Sequence, residues 1–187
     1  MRFFTQIAAF AAAAATLASA NSVTFVNQDD TTRQIYFTPS AGSPTIDSVT
    51  VAGNQQTKVN IPTSWIGNAY SVSEGKPNVP GMLAEFTFQG WNDITYFDVS
   101  AIVNPSDTVG VKQIFPASEM QNTPKTLVSG CLLFPCATAY YAPDDVQTVT
   151  TKETDLVVTL GNAANVASRD IEPGTLVPRH YVLGKLS

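Results

Sequence analysis

The sequence predicts an all-β chain folded as a β-sandwich, and three observations carry that prediction. Short stretches of alternating apolar and polar residues recur along it, separated by Gly, Pro, Asn and Asp. No segment beyond an opening apolar run keeps a helical period. The length left after that run suits one domain with a sizeable core. In the opening run Arg2 precedes small apolar residues over 7–17, and Ala18-Ser19-Ala20 is a small-residue cleavage site. Residues 1–20 therefore read as a signal peptide, too short for a membrane span. Its removal leaves 167 residues and implies secretion, to the medium or the cell wall.

Taken in order, residues 23–26 and 34–37 alternate and flank Gln28-Asp29-Asp30-Thr31-Thr32, which reads as a hairpin loop. Asp29-Asp30 reads as a plain turn, since no ion-ligand spacing follows it. Residues 39–44 form a Gly/Pro/Ser connector. Short strands are predicted at 49–51 and 58–61, around Gly53-Asn54. Trp65 to Tyr70 leads into a strand over 70–72, and residues 74–80, with Gly75, Pro77 and Pro80, form a loop. Strands at 83–88 and 94–99 are joined by the turn chemistry of Gln89-Gly90-Trp91-Asn92-Asp93. Beyond Pro105 the pattern weakens: a turn at 106–110, a strand at 111–115 and a polar loop at 116–130. Residues 146–151 and 156–160 read as closing strands, so the domain spans 21–160. Residues 161–187 have a different character, with Pro173-Gly174 and Pro178, and are expected to form a poorly structured or loosely docked tail. An extra edge strand through 181–183 is the alternative.

The stretch from Gly81 to Pro105 holds the chemistry. Along the first strand Leu83 and Glu85 share a face opposite Ala84, Phe86 and Phe88. Along the second, Ile94, Tyr96 and Asp98 share a face opposite Thr95, Phe97 and Val99. A hairpin can bring Glu85 and Asp98 to one surface, and a half-buried carboxylate needs a partner or a solvated cleft. A wet sheet face is the plain reading. The sharper one is glycoside hydrolysis, which uses two carboxylates around the scissile bond. There Glu85 is the better acid, because Leu83 and Phe86 would raise its pKa. Trp65, Trp91, Tyr70, Tyr96, Tyr140 and Tyr141 could stack on sugar rings. Core packing accounts for most of them, and Trp91, in a polar turn, is the candidate for an exposed platform.

Charge and composition exclude other classes. The chain carries −5, and −6 without the signal peptide, which disfavours nucleic acid and anionic membranes. His180 is the sole histidine and sits in the tail, so a His-based zinc site and a Ser-His triad are excluded. No Gly-rich phosphate loop occurs. No metal and no cofactor are expected. Cys131 and Cys136 are the two cysteines, in G-C-L-L-F-P-C. An oxidising compartment favours a bond between them, provided Pro135 lets their Cα atoms approach. A loop so short gains only about 2 kcal/mol in the chain-entropy model.

These motifs resemble those of thaumatin-like proteins. LAEFTF is similar to that family's LAEFTL-type strand, and TYFDVSAIVNP to its FYDVSLVDGFN segment. CATAYYAPDDVQTVTTKETDLVVTLG resembles the closing C-x-x-A-Y-S-Y…DD…T-x-T…Y-x-V-T-F. SVTFVNQDDTTRQIYF resembles the first hairpin, and VAGNQQTKVNIPTSWIGNAYSV the G…V-x-V-P…W-x-G-x-x-Y strand pair. The matches come in family order and cover most of residues 23–160. The resemblance implies a thaumatin-like β-sandwich of the small, cysteine-poor kind found in filamentous fungi. Only 32 residues separate Asp98 from Cys131, so the extra cysteine-rich lobes of plant members are missing.

The family's cleft holds an Arg, a Glu and three Asp residues. Glu85 and Asp98 match by position, and Asp144 matches the first Asp of the later pair; no arginine lies near Leu83, and Val103 stands where an acid would. The resemblance implies a secreted or wall-associated protein that binds β-glucan or another wall polysaccharide through Glu85, Asp98, Asp144 and Trp91. In fungi the family is associated with spores, wall remodelling and germination. The missing arginine and acid favour a non-catalytic binding or interaction protein, expected as a monomer. The alternatives are a weak endo-β-1,3-glucanase using Glu85 and Asp98, and a surface protein engaging a host protein.

Overall fold

The computed structural model describes residues 21–163. The signal peptide, His180 and all but the first three residues of the tail lie outside the described residues. Eleven strands form two sheets. β1 (Asn21–Asn27), β4 (Gln56–Ile61), β8 (Val111–Pro116), β9 (Ser129–Gly130) and β11 (Asp155–Leu160) make one, in the order β4-β1-β11-β8-β9. β2 (Arg33–Pro39), β3 (Val49–Val51), β5 (Ile66–Ser73), β6 (Leu83–Thr87), β7 (Thr95–Ser100) and β10 (Val149–Thr151) make the other, in the order β10-β7-β6-β5-β2-β3. The predicted all-β sandwich is what forms. Alternation decides which side chains it buries: Val23, Phe25, Leu156 and Val158 from the first sheet meet Ile35, Ala69, Ala84, Phe86, Phe97 and Val99 from the second. Trp65 is fully buried among them and donates its indole N–H to the Pro44 carbonyl, 2.9 Å away.

The expected first hairpin does not form. β1 and β2 lie in different sheets: β1 pairs antiparallel with β4 and parallel with β11, whereas β2 pairs antiparallel with β5 and β3. The strands at 49–51 and 58–61 are likewise split, β3 to one sheet and β4 to the other. The loop between β1 and β2 is therefore a crossing between layers, and Asp29 is more than a turn residue. Arg33, 1% exposed, points its guanidinium back at Asp29, with Nη1 2.6 Å from Oδ1 and Nη2 2.9 Å from Oδ2. The fork also donates to Asn27 Oδ1 and the Thr31 carbonyl. This ion pair, buried on the arginine side and partly open at Asp29, ties the crossing down.

The weakly patterned stretch after Pro105 docks through a few specific contacts. Asp107 accepts backbone N–H bonds from Met82, Val109 and Gly110. Lys112 is buried, its ammonium bonded to the Thr108 carbonyl and 5.5 Å from the Phe134 ring. Residues 116–130, expected as loop, contain a 3-10 turn over Ala117–Glu119 and end in β9. Cys131 and Cys136 are disulfide-bonded with Cα atoms 6.4 Å apart, as the sequence suggested.

Gly130, just before that bridge, has a φ of +77°, and a Cβ there would stand 2.1 Å from the Lys112 carbonyl oxygen and 2.7 Å from Val99 Cγ2. Backbone conformation and lack of space both demand glycine. Gly130→Ala is expected to cost about 2 kcal/mol or more in urea-unfolding free energy. A loss under roughly 0.5 kcal/mol would show that the β8–β9 edge yields freely.

Candidate acidic cleft

The β6–β7 hairpin builds the site. Its register pairs Glu85 directly with Asp98, while Phe86 pairs with Phe97 and Ala84 with Val99 in the core. One strand further, Asn68 of β5 lies opposite Glu85, and Thr38 of β2 lies opposite Asn68. A single row, Thr38–Asn68–Glu85–Asp98, thus crosses the outer face of the six-stranded sheet, since side chains opposite each other in register share a face. Thr148 arrives beside it because Tyr140 docks on the far side of β7, its N–H bonded to the Val99 carbonyl and its carbonyl to the Ala101 N–H. The chain between Tyr140 and β10 is thereby held along that edge. Thr148 donates to Asp98 Oδ2 at 3.4 Å and is hydrogen-bonded to the Tyr140 hydroxyl at 2.7 Å.

Asn68, Glu85, Asp98 and Thr148 line a cavity of about 400 Å³ together with Ser40, Thr87, Tyr96 and Ile66. Its chemistry is acid, amide and hydroxyl on an aromatic and aliphatic floor. Burial raises the Asp98 carboxyl to about 7, helped by the charge of Glu85 and by a hydrogen bond between the two side chains. Two carboxyl groups in contact share a proton more readily than they both ionise. Asp98 Oδ1 is buried and receives no hydrogen bond among the described residues. Asp98 therefore keeps its proton at mildly acid pH and leaves Oδ1 as spare acceptor capacity.

The other candidate residues separate. Trp91 stands 77% exposed in a 3-10 turn at the hairpin tip, where its carbonyl accepts from the Tyr96 hydroxyl at 3.3 Å. Asp144 is exposed in the turn ahead of β10 and does not line the cavity. Its neighbour Asp145 is spent locally, accepting the backbone N–H groups of Tyr141 and Ala142 at 2.7 and 2.8 Å. Thr148 holds the place beside Asp98 that Asp144 was expected to take. Among the described residues no cluster of three or more His, Cys, Asp and Glu side chains could hold a metal ion. Sequence reasoning missed Asn68, Thr148 and Tyr36, whereas Tyr70, which pairs with Tyr36, was among its stacking candidates. Only the two tyrosines carried a local signal, as large aromatics on the polar-facing parity of two strands.

No family model matches the chain. Over 140 residues it is 49% identical to the antigenic protein SchS21 of Stachybotrys chartarum, a match spanning 75% of this chain and 94% of that protein. The chain belongs to the SchS21 family. The protein elicitor MoHrip2 from Magnaporthe oryzae has a similar fold in its crystal structure, with a TM-score of 0.57. That likeness covers 76% of this chain and all but 1% of MoHrip2, at 18% identity. It therefore speaks to the fold alone. This SchS21-family fold carries one disulfide, and no helix among its described residues is long and apolar enough to cross a membrane.

Proposed function

We propose that this SchS21-family protein is a secreted, thaumatin-like surface protein that binds a neutral wall polysaccharide, β-glucan in the first place, without hydrolysing it. The observation that carries the reading is the side-by-side placement of Glu85 and Asp98 at the cavity, as register partners on adjacent strands. Retaining glycosidases hold their carboxyl groups about 5–5.5 Å apart and inverting ones about 6.5–9.5 Å, with the scissile bond or a water between them. Here the two acids project side by side from adjacent strands instead of facing each other across such a gap. A proton-sharing pair flanked by Asn68, Thr87 and Thr148 instead offers acceptors and donors to sugar hydroxyls. Secretion is supported by the signal-like start and by the disulfide, which belongs to oxidising compartments. The names of SchS21 as an antigen and of MoHrip2 as an elicitor support a protein met at the surface by other organisms. A host surface protein is accordingly the second partner class, with exposed Trp91 its natural contact.

The test pairs pull-down on insoluble β-1,3-glucan with a reducing-sugar assay. The unmutated protein is expected to be retained and to release no sugar, and Glu85→Gln and Asp98→Asn each to weaken retention about tenfold, the cost of one or two charge-assisted hydrogen bonds. Release of sugar that vanishes in both variants, with retention kept, would assign hydrolysis instead. Unchanged retention in both would move the binding surface elsewhere, to Trp91 or the 116–130 segment.

A further inference from the structure

The acidic cavity is one end of a longer track. Two residues along β5 from Asn68 lies Tyr70, and opposite it in register lies Tyr36 of β2. Both are half-buried, and their rings stack 5.5 Å apart at 21°. The Tyr70 hydroxyl donates to Asn78 Oδ1 at 3.0 Å, which fixes that ring against the 74–82 loop. Two residues further on come Gln34 and Val72, again a register pair. These two residues and Thr50 line a second cavity of about 370 Å³, of which Tyr36 forms a wall. Lys76 and Glu74 on its rim balance in charge, and the Arg33 guanidinium is spent on Asp29. From the acid row to the Gln34 row the strands advance by four residues, roughly 13 Å.

We infer that the outer face of the six-stranded sheet is an extended polysaccharide-binding track, in which Tyr36 and Tyr70 stack on sugar rings and connect the acidic cavity to a second subsite around Gln34 and Thr50. The inference rests on the carbohydrate reading of the acidic cleft and adds a chain length to it. Three features on this face fit a neutral polyhydroxylated chain better than a protein or an anion. Rigid aromatic faces supply contact area at little entropic cost. Amides and hydroxyls share the face with them beside Val72 and Leu83, as Gln34, bonded to Ser48 and Thr50, shows. The acid row at one end repels anionic chains. The distance spanned exceeds a single ring, so the site distinguishes long from short oligosaccharides.

Calorimetry of the secreted protein with β-1,3-linked glucose trisaccharide and heptasaccharide tests this. The heptasaccharide is expected to bind about tenfold tighter than the trisaccharide, the worth of one or two stacked rings. Tyr36→Ala and Tyr70→Ala should lower the heptasaccharide to the trisaccharide's affinity while leaving the trisaccharide unchanged. Tyr36→Phe should keep the difference, because stacking does not need the hydroxyl. Should the alanine variants fail to fold by circular dichroism, ring resonances of 13C-tyrosine in the unmutated protein supply the readout. Those of Tyr36 and Tyr70 are expected to shift with heptasaccharide and not with trisaccharide. Equal affinity for both lengths, or tyrosine resonances that stay in place, would overturn the track and leave the acidic cleft standing. No binding of either length would overturn the cleft reading and the track with it.

Discussion

Replacing Arg33 by methionine is expected to lower the free energy of unfolding by about 2–3 kcal/mol at neutral pH, less than breaking a fully buried ion pair costs, because Asp29 stays partly open to water. Arg33 is 1% exposed and spends its guanidinium on Asp29, Asn27 and Thr31. Methionine fills much of the volume but leaves the Asp29 carboxylate with only the backbone N–H groups of Thr31 and Asn162. Burial works to raise the Asp29 pKa, yet the Arg33 hydrogen bonds, those two N–H groups and the Arg33 charge outweigh it and hold the group at about 2. Its folded value is depressed, so its contribution is present above the unfolded value near 4 and is lost as pH falls through 2. Arg33→Met should therefore also flatten the acid limb of a stability–pH curve. Adding Asp29→Asn should recover part of the loss, because it removes the stranded charge. Urea unfolding followed by fluorescence of buried Trp65 reads all three; a loss under about 1 kcal/mol would show that the crossing is not held by this pair.

Asp98→Asn is expected to act in the opposite sense, stabilising the fold at neutral and alkaline pH. The native carboxyl keeps its proton to about 7, whereas in the unfolded chain it releases it near 3.8. Between those values the unfolded state sheds a proton that the native state retains, so rising pH costs stability across that window. Asparagine carries no such term. The variant and the unmutated protein should match near pH 4 and diverge upward, by about 2 kcal/mol at pH 8, with allowance for the partly solvated cleft. Under the proposed function the same substitution is expected to weaken glucan retention. Stability gained where binding is lost is the signature of a group kept for its ligand. A variant that is less stable than the parent at pH 8 would instead make Asp98 a structural acid.

The 83–88 and 94–99 strands show how much of this was local. Their side chains alternate with period two, so Ala84, Phe86, Phe97 and Val99 had to go inward together and Glu85 and Asp98 outward together. Ten short strands are legible from pattern and turn residues, and β9 escapes because two residues carry no period. Strand partners were another matter. The stretch from 23 to 37 looked like one hairpin, and its halves went to opposite sheets, because β1 finds its neighbours in β4 and β11 near the far end of the chain. Pairing across such separations is decided by which apolar faces close one core, and no local window contains that information.

The site divides along the same line. The sequence alone determined that two acids would share a wet face, that Trp91 would stand on a polar turn, and that the two cysteines were close enough in the chain to bond. Tertiary structure decided that Glu85 and Asp98 stand directly opposite each other, because register and not parity sets which side chains are neighbours. It decided that Thr148 and Asn68 complete the cleft and that Asp144 does not, through the docking of Tyr140 on β7 and of β5 on β6. It also turned Asp29 from a turn residue into the counter-ion of a buried arginine. Charge patterns and periods are written one residue at a time, whereas the meeting of side chains from distant strands exists only once the sheets have closed.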